Sequence, residues 1–81
     1  MKIYRYHGKA NLSGEKIRRR REELHLSQED VVAKLQLMGM EIGQNTLSRI
    51  ESGIRFVPDY ELKFFSRALE VPVEYFLNEE P

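Results

Sequence analysis

The stretch Gln44-Asn45-Thr46-Leu47-Ser48-Arg49-Ile50-Glu51-Ser52-Gly53 constrains this chain more than any other. At helical spacing Leu47 and Ile50 share one face, while Gln44, Asn45, Ser48 and Arg49 lie opposite or along its edge. Gly53 stands where a glycine stops a helix. A merely solvated face would favour Lys and Glu. Two amides, a hydroxyl and one guanidinium are instead the groups that read base edges in a major groove, amides on adenine and Arg on guanine. A polar surface helix is the plain alternative, and the scaffold built by the remaining residues separates the two.

That scaffold reads as helical. Ser13 is placed to cap a first helix from Gly14 to Leu24, with Ile17 and Leu24 on its buried side. Arg18 to Arg21 spans the whole helical circumference, so at least one of these guanidinium groups must turn towards the core. Ser27 caps a second helix, with Glu29 and Asp30 in the turn where acids favour the positive helix end. Val31, Leu35 and Met38 form its stripe beside Val32, and Gly39 is its stop. Met40 to Gly43 is too short for a helix and predicts an extended turn anchored by Ile42. Ile54 to Pro58 is a loop, because a residue before proline avoids helical geometry. Asp59 caps a fourth helix that runs to about Leu69, with Leu62, Phe65 and Leu69 inward and Ala68 allowing close approach. Val71-Pro72 breaks the chain again, and Val73 to Leu77 makes one apolar turn. The aromatics Phe64, Phe65, Tyr75 and Phe76 read as core rather than as a stacking platform. The expected fold is all-α: a compact bundle of four helices plus a short fifth. Residues 1–12 are an N-terminal arm or a short strand, 13–77 the helical domain, and 78–81 an acidic tail. Tyr4, Arg5, Tyr6 and Lys9 leave three options open: an arm for the minor groove, a strand packed on its own domain, or a frayed end.

Eighty-one residues suffice for one domain, and 41% hydrophobic content gives it a small core. With no Cys there is no disulfide framework or thiolate site. His7 and His25 are 18 residues apart without nearby ligands, so no metal and no cofactor is expected. The absence of a long apolar run or a signal pattern predicts a cytoplasmic protein without a membrane partner. Net charge is zero, which excludes bulk-charge coating of nucleic acid, but the charges are unevenly spread. Residues 1–21 hold eight of the 13 basic side chains and one acid, Glu15, for +7. Residues 22–55 carry −3 and residues 56–81 carry −4. A chain with a basic front and an acidic back meets a phosphate backbone in one orientation.

Ser27-Gln28-Glu29-Asp30-Val31 followed by Leu47-Ser48-Arg49-Ile50-Glu51-Ser52-Gly53 resembles the helix-turn-helix domain of the lambda-repressor/Cro-like (xenobiotic-response-element-type) regulators. The resemblance covers roughly residues 13–77, and Pro58-Asp59 to Val71-Pro72-Val73 matches the family's fourth and fifth helices. It implies that Gln44, Asn45 and Arg49 read bases. It also implies that Gln28, Thr46 and Ser48 touch the DNA backbone, Gln28 bracing the first amide of the third helix as well. Arg18 and Arg19 are candidate phosphate contacts or a solvated face. Arg21 and Glu51 match a pair that is ion-paired inside many members. Arg21 lies one turn before Leu24 on the inward side, in agreement. Breaking such a buried pair costs about 3–5 kcal/mol. Eleven residues separate Leu35 from Leu47, more than the family usually has, so the second helix and the turn after it are longer than usual. Val32 and Gln36, in place of a small Ala and a turn Gly, fit that longer helix. Gly43 stands where a Ser or Thr cap is common, a difference of a few tenths of a kcal/mol.

These readings imply a sequence-specific regulator of double-stranded DNA, expected to be a repressor. It would be a dimer through the fourth and fifth helices, on half-sites about one helical turn apart. The alternative is a protein-interaction module or antitoxin-like partner that keeps the fold with weak or no DNA binding, its regulation supplied by another protein. An enzyme is the weakest reading. Ser13, Ser27, Ser48, Ser52 and Ser66 have no recognisable base partner, and no paired carboxylates stand in a catalytic pattern.

Overall fold

The computed structural model describes residues 5–78. Five helices follow one another: α1 (Gly14–Glu23), α2 (Gln28–Leu37), α3 (Gln44–Glu51), α4 (Asp59–Leu69) and α5 (Val73–Leu77). They form a body of 30 × 29 × 19 Å. Among the described residues there is no strand, only an isolated bridge between Tyr6 and Lys9.

One core joins all five helices. Ile17 of α1, Val31 and Leu35 of α2 and Leu47 and Ile50 of α3 are fully buried. Phe65 and Leu69 of α4 and Phe76 of α5 meet them there, so two of the four aromatics expected in the core are fully buried, while Phe64 and Tyr75 are half-buried against its edge. Two inward positions differ from expectation. Met38 is 39% exposed because α2 ends at Leu37 and the chain turns away before another inward position is reached. Leu24 is only half-buried, at the end of α1.

Helix ends are set by local chemistry. Ser27 and Asp30 form a reciprocal cap on α2: the Asp30 N–H donates to Ser27 Oγ at 3.0 Å, and the Ser27 N–H donates to Asp30 Oδ2 at 2.9 Å. Ser13 does not cap α1. Its own backbone is helical, and the Gly14 N–H is instead accepted by Asn11 Oδ1 at 2.7 Å. Asp59 is the first helical residue of α4 rather than its cap, since Pro58 holds the extended position before it. Gly39 (φ +91) and Gly53 (φ +82) take the left-handed conformation that ends α2 and α3 without the clash a Cβ would bring.

The long connection between α2 and α3 is firmly held. The Met40 N–H donates to the Leu35 carbonyl at 3.0 Å, and Gln36 Nε2 donates to the Ile42 carbonyl at 2.9 Å. Met40 and Ile42 are both buried with Glu41 exposed between them, an alternation that only extended backbone provides. The additional residues therefore dock on the core and deliver the chain to the start of α3.

Candidate nucleic-acid interface

Helix α3 lies against α1 and α2. Its inner face is spent on Leu47 and Ile50, leaving Gln44, Asn45, Ser48, Arg49 and Ser52 exposed and Thr46 half-buried. Asn45 and Arg49 make no side-chain hydrogen bond or ion pair among the described residues, so their polar groups face solvent with full capacity. Ser52 lies on the same outward stripe as Asn45 and Ser48, with its hydroxyl donating to the Ser48 carbonyl at 2.6 Å. Sequence reasoning did not select Ser52 for this face. The seven-residue step from Asn45, two helical turns, was the available signal.

Beneath this face is a buried polar joint. Arg21 Nε donates to Glu51 Oε2 at 2.8 Å and Arg21 Nη2 donates to Glu51 Oε1 at 3.0 Å, a bidentate pair with side chains only 12% and 4% exposed. The third guanidinium nitrogen, Nη1, donates to the Leu26 carbonyl at 2.9 Å, so the corner between α1 and α2 is fixed to the last turn of α3. Hydrogen bonding to Glu51 holds the Arg21 guanidinium above its ordinary pKa. Gln28, the first residue of α2, completes the joint. Its Nε2 donates to Glu51 Oε1 at 3.1 Å, and its Oε1 accepts from Gln44 Nε2 at 3.5 Å.

The four consecutive arginines of α1 divide evenly. Arg20 and Arg21 turn inward, Arg20 donating through Nε to the Leu69 carbonyl at 2.9 Å, where a cation complements the C-terminal end of α4. Arg18 and Arg19 point outward, Arg18 within 3.3 Å of Glu22 one turn on. With Lys9, Arg18 and Arg19 line a cleft of about 420 Å³ that also reaches Ser52. The structure thus brings Arg18 and Arg19 to the C-terminal end of α3, while Gln28 and Gln44 meet at its N-terminal end.

Of the residues before α1, Lys9, Ala10 and Asn11 pack on the helical domain, while residues 5–8 are exposed. Tyr6 and Lys9 close a tight turn, and the Ala10 N–H donates to the Gly53 carbonyl at 2.8 Å. Asn11 Nδ2 donates to the Ile50 carbonyl at 2.9 Å, which also accepts from the Gly53 N–H, and to the Arg55 carbonyl at 2.8 Å in the loop after α3. Lys9 lies over Gly53 and pairs with Glu15, whose carboxyl it holds below its ordinary pKa through a hydrogen bond and through charge. Tyr4 and the Glu79-Glu80 pair of the acidic tail lie outside the described residues.

Among the described residues no helix is long and apolar enough to cross a membrane, and no three His, Cys, Asp or Glu are grouped to hold a metal ion. Residues 17–76 match the model of a family described as Helix-turn-helix. No curated protein and no solved structure matches the chain. An exposed polar α3 carried on a braced α2, within an all-helical fold, accords with that match, and the chain belongs to the lambda-repressor/Cro-like helix-turn-helix family of DNA-binding regulators.

Proposed function

We propose that this protein is a sequence-specific transcriptional regulator, a repressor, that binds double-stranded DNA as a dimer with α3 in the major groove. Gln44, Asn45 and Arg49 read bases. Gln28, Thr46 and Ser48 hold the backbone beside them, and Arg18 and Arg19 take phosphates near the far end of α3. The observation that carries this reading is the outward stripe of α3, where Asn45 and Arg49 have no partner among the described residues although buried contacts fix the helix beneath them. Such pre-positioned donors and acceptors suit base edges. A dimer through α4 and α5 has little apolar surface left on those helices, since Leu62, Phe65, Leu69 and Phe76 serve the protein's own core. Tyr60 and Leu77 remain exposed there, at 60% and 47%, with Phe64, Val73 and Tyr75 half-buried beside them.

The exposed Ile54, Phe56 and Tyr60 favour a second reading, a protein-interaction or antitoxin-like module on the same fold. Selection of binding sites from random duplexes decides between the two. A two-fold site with half-sites about one helical turn apart is expected for the regulator. No enriched duplex, even at low salt, would leave the interaction module.

A further inference from the structure

Asn11 stands before the first helix, upstream of the matched residues 17–76, yet every polar group of its side chain is committed to the place where α1 starts and α3 ends. Its Oδ1 accepts from the Gly14 N–H at 2.7 Å. Its Nδ2 donates to the Ile50 carbonyl at 2.9 Å and to the Arg55 carbonyl at 2.8 Å. A carbonyl only accepts and a backbone N–H only donates, so the reversed amide would serve none of the three. What the two donated bonds enclose is the backbone of Arg49. The Arg49 carbonyl accepts from the Ile54 N–H at 2.9 Å and the Arg55 N–H at 3.3 Å, so the turn after α3 closes back onto this residue. Asn11 ties that turn, at Arg55, to the last turn of α3, at Ile50, and both to the start of α1. The Ala10 N–H adds a bond to the Gly53 carbonyl at 2.8 Å, within the same turn. The Arg49 side chain itself is exposed. Its aim depends on how firmly its backbone is held.

We propose that Asn11 is a positioning residue for base specificity, fixing the backbone from which Arg49 reaches into the groove. The inference rests on the major-groove reading proposed above and extends the reading apparatus to a residue outside the matched segment. Position matters most for an Arg, whose planar fork meets guanine O6 and N7 through two parallel bonds that a small tilt breaks together. Gln44 and Asn45 lie in the first turn of α3, which the docked connection through Met40 and Ile42 delivers and Gln28 braces. They should not feel the tether. Capping α1 is the plainer role for Asn11, and the chemistry of its amide separates the two. An aspartate keeps an acceptor for Gly14 and suits a helix start, but at neutral pH it has no proton for Ile50 or Arg55.

The test is binding-site selection with the full chain and two variants, N11D and N11A, each checked for folding by thermal unfolding. The unsubstituted protein is expected to prefer G about tenfold or more at the base pair facing Arg49, the size of one bidentate contact. In N11D that preference should shrink to about threefold or less, while selection at the pairs facing Gln44 and Asn45 persists. N11A removes the donors without adding a charge, should lose the same preference, and decides the matter if N11D does not fold. Undiminished G preference in the folded variants overturns the proposal. So does an equal loss at every base pair, which assigns Asn11 a structural role only. If the unsubstituted protein selects no base anywhere, the major-groove reading fails instead. Amide hydrogen exchange in the free protein then judges the tether on its own. The Ile54 and Arg55 N–H groups should exchange about tenfold faster or more in the variants, with Leu47 unchanged, and unaltered rates overturn it.

Discussion

At Gly14 the start of α1 approaches the end of α3 so closely that a Cβ would stand 2.0 Å from the Ile50 carbonyl oxygen. The obstacle is backbone, which cannot swing aside as a side-chain tip can. Within an ordinary helix, replacing Gly by Ala stabilises by about 1 kcal/mol. Here the sign should reverse, and Gly14→Ala is expected to lower stability by about 1–3 kcal/mol, measured from the urea midpoint at unchanged slope. A gain in stability would show that α1 can move off α3 freely. Nothing in the sequence marks this glycine, because the closeness arises between residues 36 positions apart. Arg49 is the opposite case, legible from its helical phase alone. Arg49→Ala should cost about 1–3 kcal/mol of discrimination at one base pair, read by comparing the selected duplex with a single-pair variant. Equal weakening on selected and random duplexes would remove the base-reading role.

Among the elements, α2 carries the pH-sensitive cap. The Ser27 backbone N–H, and then the Ser27 side chain, hold the Asp30 carboxyl below its ordinary pKa. A carboxyl depressed in the folded state adds stability above its unfolded pKa, and that contribution fades as pH falls through the folded value. The melting temperature of the unsubstituted protein should therefore exceed that of Asp30→Ala near neutrality and converge towards it as pH falls below the ordinary aspartate value of about 3.9, followed by thermal unfolding across pH. A constant gap at all pH values would exclude the carboxylate as the cause. The connection into α3 is the other element that matters. Ile42 is buried on that extended segment, so Ile42→Ala is expected to cost about 2–4 kcal/mol by denaturant unfolding. A cost near zero would mean that the connection is slack. Its length was legible in the sequence, and so was the anchoring role of Ile42. The burial of Met40 was not, because a two-residue alternation is too short to stand out beside a helix.

For the whole molecule, zero net charge conceals a division that the fold makes useful. Arg20 and Arg21 are consumed internally, so the outward basic surface of α1 is Arg18 and Arg19, next to the end of α3. The C-terminal residues 56–81 carry −4. Binding should therefore depend on a few phosphate contacts rather than on bulk charge. The slope of log K against log salt is expected to be about −0.9 per phosphate neutralised, and Arg18→Ala with Arg19→Ala should flatten it by about 2 while leaving the selected sequence unchanged. Fluorescence anisotropy across a salt series measures both. An unaltered slope would place these arginines away from the backbone.

The sequence by itself determined the five helices, most of their stops and the division of α3 into an apolar and a polar face. Each of these follows from spacing and capping within a few residues. It also held the motif that carries the family. What only the tertiary structure decided is which polar groups meet. Asn11 rather than Ser13 caps α1, because an amide one turn upstream can bond Gly14, Ile50 and Arg55 at once. Of the four arginines in a row, the motif and the spacing to Leu24 already turned Arg21 towards Glu51, whereas only the fold sends Arg20 to the carbonyl end of α4. Gln28 was already expected to brace Gln44, but its second bond, to Glu51, ties the first turn of α2 to the last turn of α3 and was not legible. Polar partners such as these are chosen by three-dimensional proximity and by the one-way nature of donors and acceptors, and neither is written in the local order of residues.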